Sequence, residues 1–271
     1  MIKLIELIQL AGIQLNDFKI HCATGTKTNP LEAFFDGTFR QWQEDQTQKN
    51  FQTEHILSLI HLHGTEWLFA GVYSVLGVKP VRRKDSVVRF RYDTRELKGL
   101  DHLTGRAVIE FEKTFRASYL RGEKYINQLL VKAIRDQRMT VGDFPGYNSV
   151  VLSYALLGTI TRESIPSWKA ALSNVAGVYL ITDTKTGRQY VGGAYGGEGI
   201  WQRWKDYVKT GHGGNRNLRE LLRLRGQKYS HHFQFSLLEI CDLNSSEEYI
   251  FARESHWKNV LKSREFGMNY N

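Results

Sequence analysis

Glu254 occupies the position that most requires a chemical explanation. Ile250, Phe251, Glu254, Trp257 and Leu261 recur at intervals of three and four, so they share one face of a helix and place a carboxylate in an apolar stripe. Burying an unpaired carboxylate costs on the order of several kcal/mol, so this position needs a cation or strong donors. A metal ion and the guanidinium of Arg203 are the two candidates. Arg203 and Tyr207 stand four apart and point the same way from their own helix, while Trp204 and Val208 form a neighbouring stripe that can pack inward. An arginine and a phenol therefore point together.

The elements that must position these groups surround residues 177 to 192. Gly177-Val178-Tyr179 opens an apolar run, Asp183-Thr184-Lys185-Thr186-Gly187 carries turn chemistry, and Tyr190-Val191-Gly192 opens a second run. This predicts a β-hairpin with Tyr179 and Tyr190 facing one another across it. Gly193, Gly196, Gly197 and Gly199 then precede a helix beginning near Ile200. A structural helix is expected around Asn217 to Leu222, and strict alternation over Phe233 to Leu237 predicts a third strand. Ser245 with Glu248 forms a capping box that sets the start of the last helix. His212, His231, His232 and His256 read as surface or core histidines, because adjacent residues on a strand point to opposite sides. Trp168 and Leu172 predict a short helix packed behind the hairpin.

Taken in order, these motifs resemble the GIY-YIG nuclease family, with the triplets spelled GVY and YVG, over residues 168 to 271. The resemblance implies a small three-stranded antiparallel sheet flanked by helices. It implies metal-dependent hydrolysis of a phosphodiester leaving a 5′-phosphate, with one divalent ion, Mg²⁺ or alternatively Mn²⁺, held by Glu254. The matching catalytic positions are Tyr179, Tyr190, Arg203, Tyr207, Glu254 and, in Gly267-Met268-Asn269, the closing Asn269. Arg203 is then expected to neutralise the phosphate oxygens, and Tyr179 to orient or deprotonate the attacking water. Tyr190 and Tyr207 would position water or phosphate.

The length of 271 residues and a hydrophobic fraction of 41% predict two domains, placed at 1–160 and 167–271, with a linker between Thr159 and Pro166. A formal net charge of +9 fits a polyanion partner as well as simple solubility. Cys22 and Cys241 lie far apart with no CxxC, which excludes a disulfide framework and a zinc ribbon and makes a reducing cytoplasm the default. Met1 to Leu10 reads as an amphipathic helix, and no apolar run reaches membrane-spanning length.

The front half reads as β-rich. A strand is expected over Glu66 to Val75, and in the next one Val88, Phe90 and Tyr92 alternate with Arg89 and Arg91, giving one apolar and one cationic face. Further extended segments fall at Arg106 to Glu112 and Leu129 to Ile134. Several short strands predict a small barrel or strongly curved sheet. Through the Trp67 to Val75 strand and the Phe144-Pro145-Gly146-Tyr147 turn, this half resembles PUA-like barrels, a group that includes readers of modified bases. Candidate nucleic-acid contacts are Arg82, Arg83, Lys84, Arg89 and Arg91 for phosphates, with Trp42 or Tyr92 stacking on a base.

The expected fold class is therefore α+β: a β-rich, PUA-like front domain joined to a GIY-YIG-type domain. The expected function is a DNA endonuclease of the restriction or genome-defence kind acting on double-stranded DNA, its front half reading a target, with a modified base as one version. A homodimer on DNA is expected, since one centre per chain must pair or act twice to cut a duplex. The alternatives are a structure-specific repair or recombination nuclease and an inactive nucleic-acid-binding protein.

Overall fold

The computed structural model describes residues 1–25, 29–82 and 88–270. The chain divides into two compact units, residues 1–140 and 141–271. The boundary thus precedes the one expected at 160–167, and that expected linker spans the end of one helix and the start of the next inside the second unit.

The first unit runs α1 (Leu4–Leu10), β1 (Phe18–Ala23), α2 (Pro30–Phe35), α3 (Phe39–Glu44), β2 (Asp45–Gln46), β3 (His55–His63), β4 (Glu66–Arg82), β5 (Val88–Glu96), β6 (Ala107–Glu110), β7 (Tyr119–Arg121), α4 (Gly122–Tyr125) and β8 (Leu130–Ile134). Its sheet has the order β2-β5-β4-β3-β1-β7, with β6 pairing β4 and β8 pairing β6. β3 is apolar on both faces because both are covered. Leu57 and Leu59 join a core with Leu4 and Ile8 of α1, while Ile56 and Ile60 join one with Phe34 and Phe39 from α2 and α3.

Among the described residues the end strands β2 and β7 do not pair with each other, so the expected PUA-like barrel is not closed. The physical reason lies in the strands themselves: β1 runs parallel to β3, and β2 and β7 are only 2 and 3 residues long. Beyond Ser74, β4 leaves β3 and pairs only with β5, forming a two-stranded ribbon whose β4 residues 76–82 are all exposed.

The second unit runs β9 (Val151–Ser153), α5 (Tyr154–Glu163), α6 (Pro166–Ser173), β10 (Val175–Asp183), β11 (Gln189–Ala194), α7 (Gly199–Thr210), α8 (Arg216–Arg225), β12 (Phe233–Asp242) and α9 (Glu247–Val260). The predicted hairpin is β10–β11. The sheet has four strands in the order β11-β10-β12-β9 where three were expected, since the short β9 adds an antiparallel edge to β12. The Phe144-to-Tyr147 turn belongs here and not to the front half: the Phe144 ring meets Trp168 of α6 at 5.1 Å.

α9 begins one residue later than predicted. The Oγ of Ser246, not of Ser245, accepts from the Tyr249 N–H at 3.2 Å. The helix is clamped to the sheet by Glu239 of β12, which accepts from Arg253 at 2.7 and 2.9 Å and from the Trp257 indole at 2.7 Å. This pairing holds the Glu239 carboxyl below its ordinary range, the Arg253 bonds being the main cause.

Candidate active site

The hairpin register sets the first part of the site. Tyr179 lies opposite Gly192 and Ile181 opposite Tyr190, so the two tyrosines are diagonal neighbours on one face rather than directly opposed. The Tyr179 ring lies across Gly192, where a Cβ would come within 2.5 Å of the phenol oxygen. At Gly193 a Cβ would come within 2.7 Å of the Glu254 Oε2 and 2.9 Å of Ile250. The two glycines are therefore the places where a phenol and the carboxylate-bearing helix α9 close onto β11.

α7 supplies the cation. The Arg203 Nε donates to the Tyr179 hydroxyl at 3.0 Å and Nη1 donates to the Gly213 carbonyl at 2.7 Å. Its guanidinium also sits over the Tyr207 ring at 5.2 Å. The Tyr179 and Tyr207 hydroxyls share a hydrogen bond of 3.0 Å, and their rings meet edge to face. Two of Arg203's nitrogens are thereby fixed, and among the described residues Nη2 makes no hydrogen bond.

Tyr190, Arg203 and Glu254 border a cavity of about 450 Å³, rimmed by Gly193, Gly196, Gly197 and Gly199. Tyr179 and Tyr207 do not border it, and both are fully buried. Burial raises the Tyr179 phenol well above its ordinary value, with Tyr190 adding to the rise and Arg203 opposing it. Tyr207 rises for the same leading reason. The deprotonating role expected of Tyr179 would need its phenol lowered, and the reverse is found, because desolvation outweighs the one guanidinium. Tyr190 is also raised, by burial and then by the negative charge of Glu254, with Arg203, Tyr207 and Asn215 opposing.

Glu254 has a partner that the sequence reading passed over. The Lys258 Nζ lies 2.7 Å from Oε1, one helical turn on, with side chains 8% and 16% exposed respectively. Neither a metal nor Arg203 is needed to compensate the carboxylate in this state, and the spacing of four residues was the signal. Among the described residues no three His, Cys, Asp or Glu side chains gather into a metal cage. One carboxylate at a cavity edge, with water and phosphate oxygens completing the shell, still fits a magnesium-type ion, which takes few protein ligands.

Asn269 is 1% exposed and does not border the cavity. Its Oδ1 accepts from the Val191 N–H at 2.8 Å and its Nδ2 donates to the Val191 carbonyl at 2.9 Å. It extends the edge of the sheet and fixes the residue after Tyr190.

In the first unit the candidate contacts separate. Tyr92 is 2% exposed and its hydroxyl accepts from the Phe51 N–H, so it has no face for a base. Trp42 is half-buried and stacked against Phe39 and His21. His21 lies between Trp42 and Tyr119 and hydrogen-bonds Gln43 at 2.8 Å; burial lowers its pKa from 6.5 to about 4, opposed by that bond. Arg83 and Lys84 lie outside the described residues. On the ribbon, Lys79 pairs with Arg91 and Val81 with Arg89, so these four share one face, while Val78, Pro80, Phe90 and Arg82 take the other. Arg89 is tied to Asp45 at 2.8 Å.

The fold and the cluster define a class of site: a small antiparallel sheet on which a phenol–guanidinium network backs a glycine-rimmed cavity bordered by the carboxylates Asp206, Glu247 and Glu254. No family model matches the chain, and no curated protein matches it. Among solved structures, the catalytic domain of the homing endonuclease I-TevI is 29% identical over 35% of this chain and 98% of its own, with a TM-score of 0.28. A point mutant of the same catalytic domain is 28% identical over 36% of this chain and 94% of its own, also with a TM-score of 0.28.

Proposed function

We propose that the second unit is a metal-dependent nuclease that hydrolyses phosphodiester bonds in DNA. The observation that carries this reading is the division of labour around Arg203. Tyr179 and Gly213 fix Nε and Nη1, leaving Nη2 over, and Arg203 and Glu254 both border the one cavity. An immobilised guanidinium lining a cavity that a carboxylate also borders suits a phosphate diester, whose developing charge it stabilises without reorganising.

Glu254 would hold the divalent ion. Bound there, Mg²⁺ supplies Lewis-acid stabilisation of charge on the departing oxygen. Arg203 neutralises the non-bridging oxygens. Tyr190 rather than Tyr179 orients the water, because, of Tyr179, Tyr190 and Tyr207, it is the one that borders the cavity. Tyr179 and Tyr207 act behind it by holding Arg203. Asn269 positions β11 and is not a group that touches substrate.

The first unit is proposed to hold double-stranded DNA through its ribbon. Lys79 directly opposite Arg91 is a like-charge pair, which is unfavourable in isolation and offset by a polyanion. A two-stranded ribbon also fits the width of the major groove. Target reading by this unit, with a modified base as one version, makes the chain a restriction or genome-defence enzyme. Incubation with Mg²⁺ and plasmids bearing or lacking modified cytosines tests it: cleavage confined to one plasmid supports target reading, cleavage of branched substrates alone supports the repair alternative, and intact DNA throughout supports the inactive binder. Dimerisation on DNA is checked by the protein concentration dependence of double-strand cutting.

A further inference from the structure

Tyr195 and Phe251 have no part in the chemistry described so far. Tyr195 follows β11 and Phe251 lies on α9; they are 38% and 46% exposed, and their rings meet edge to face at 5.1 Å and 84°. The periodicity of α9 pointed Phe251 inward. Instead Ile250 takes the buried place and Phe251 is turned outward against Tyr195. Two large rings left together in solvent forgo the stabilisation that burial would give them, which marks a contact surface.

Their location says what kind of contact. Both rings border the same cavity as Tyr190, Arg203 and Glu254. Between Tyr195 and α7 the chain carries Gly196 and Gly197 at φ 64° and 52°, which add no side chain beside the rings, and Glu198, which does not border the cavity. The remaining lining includes Gln202, Asp206 and Glu247, with Gln202 Nε2 donating to Asp206 Oδ1 at 3.0 Å. The Asp206 and Glu247 carboxylates in the lining repel a second phosphate and can accept hydrogen bonds from amino groups.

We propose that this cavity receives a nucleobase flanking the cleaved phosphodiester, stacked on the Tyr195–Phe251 pair, with an exocyclic amino group directed to Asp206 and Glu247. Bases that carry such an amine (adenine, cytosine, guanine) are favoured over thymine. The position of the phosphate rests on the nuclease reading above; the stacking itself does not.

The test uses the full chain, Tyr195→Ala with Phe251→Ala, and oligonucleotide duplexes carrying 5-iododeoxycytidine near the cut site. With Ca²⁺ in place of Mg²⁺, irradiation of the wild-type complex is expected to crosslink the base to Tyr195 or Phe251. The double variant is expected to bind about five- to a hundredfold more weakly, the range for loss of one stacked base. The slope of log affinity against log salt stays unchanged, because no ionic contact is removed. A folded double variant with wild-type affinity and kcat/KM, together with crosslinks elsewhere, overturns the inference and leaves the nuclease reading standing. A wild-type chain that crosslinks through these rings but leaves DNA intact with Mg²⁺ keeps the inference and removes the nuclease reading.

Discussion

The Arg203 Nε donates to the Tyr179 hydroxyl at 3.0 Å, and that one bond converts a fully buried phenol into the mount for a cavity-facing cation. The role follows from burial: a group with no solvent contact cannot hand a proton to water, but it can hold a neighbour still. Arg203→Lys provides the check. An ammonium cannot bond Tyr179 and Gly213 and still present a third donor in a fixed plane, so kcat is expected to fall about a hundredfold with DNA affinity nearly kept. Single-turnover cleavage and anisotropy titration measure the two quantities separately.

Tyr190 gives a pH prediction. Burial first, and then the charge of Glu254, push its phenol above the ordinary value. The deprotonated form is therefore scarce at neutral pH and grows as pH rises. With Tyr190 taking the proton from water, the cleavage rate climbs about tenfold per pH unit through the neutral range. Tyr190→Phe flattens that slope. A wild-type rate falling with pH, or an unchanged slope in the variant, removes the role.

Asn269 acts on the sheet. Asn269→Ala leaves the buried N–H and carbonyl of Val191 without the partners they have at 2.8 and 2.9 Å. The expected cost is about 1–3 kcal/mol of stability in the second unit, together with reduced cleavage as Tyr190 loses its register. Urea unfolding measures the first effect.

His21 makes the first unit acid-sensitive. Its folded-state pKa of about 4 lies below the ordinary 6.5, so the unfolded chain binds a proton that the folded chain resists. Stability is fully present above pH 6.5 and is lost as pH falls toward 4, by about 3 kcal/mol in all. His21→Gln, which does not titrate, is expected to lose less over the same range in urea unfolding.

The parts of the fold that were legible in the sequence are those governed by one period. The β10–β11 hairpin, α7 with Arg203 and Tyr207, and α9 with Glu254 follow from spacing alone. What was not legible depends on long-range pairing. β9 is three residues, too short for a period to show, and it pairs along the edge of β12. β1 is specified by parallel pairing with β3, which local pattern does not encode. The Glu254–Lys258 pair follows the i, i+4 rule, although Lys258 stands outside the apolar stripe that Glu254 interrupts. Tyr92 alternates with arginines as a ribbon residue should, yet the same strand has already entered the core by that point.

The central claim is that Glu254 holds a divalent ion for phosphodiester hydrolysis, and Glu254→Gln tests it most directly. The amide keeps the size of the side chain and an acceptor for Lys258, an acceptor that Glu254→Ala removes, so the fold is expected to survive. Mg²⁺-dependent cleavage of plasmid DNA is predicted for the wild-type chain and its loss, with DNA binding retained, for the variant. Cleavage by folded Glu254→Gln at the wild-type rate and with the same Mg²⁺ requirement would contradict the account.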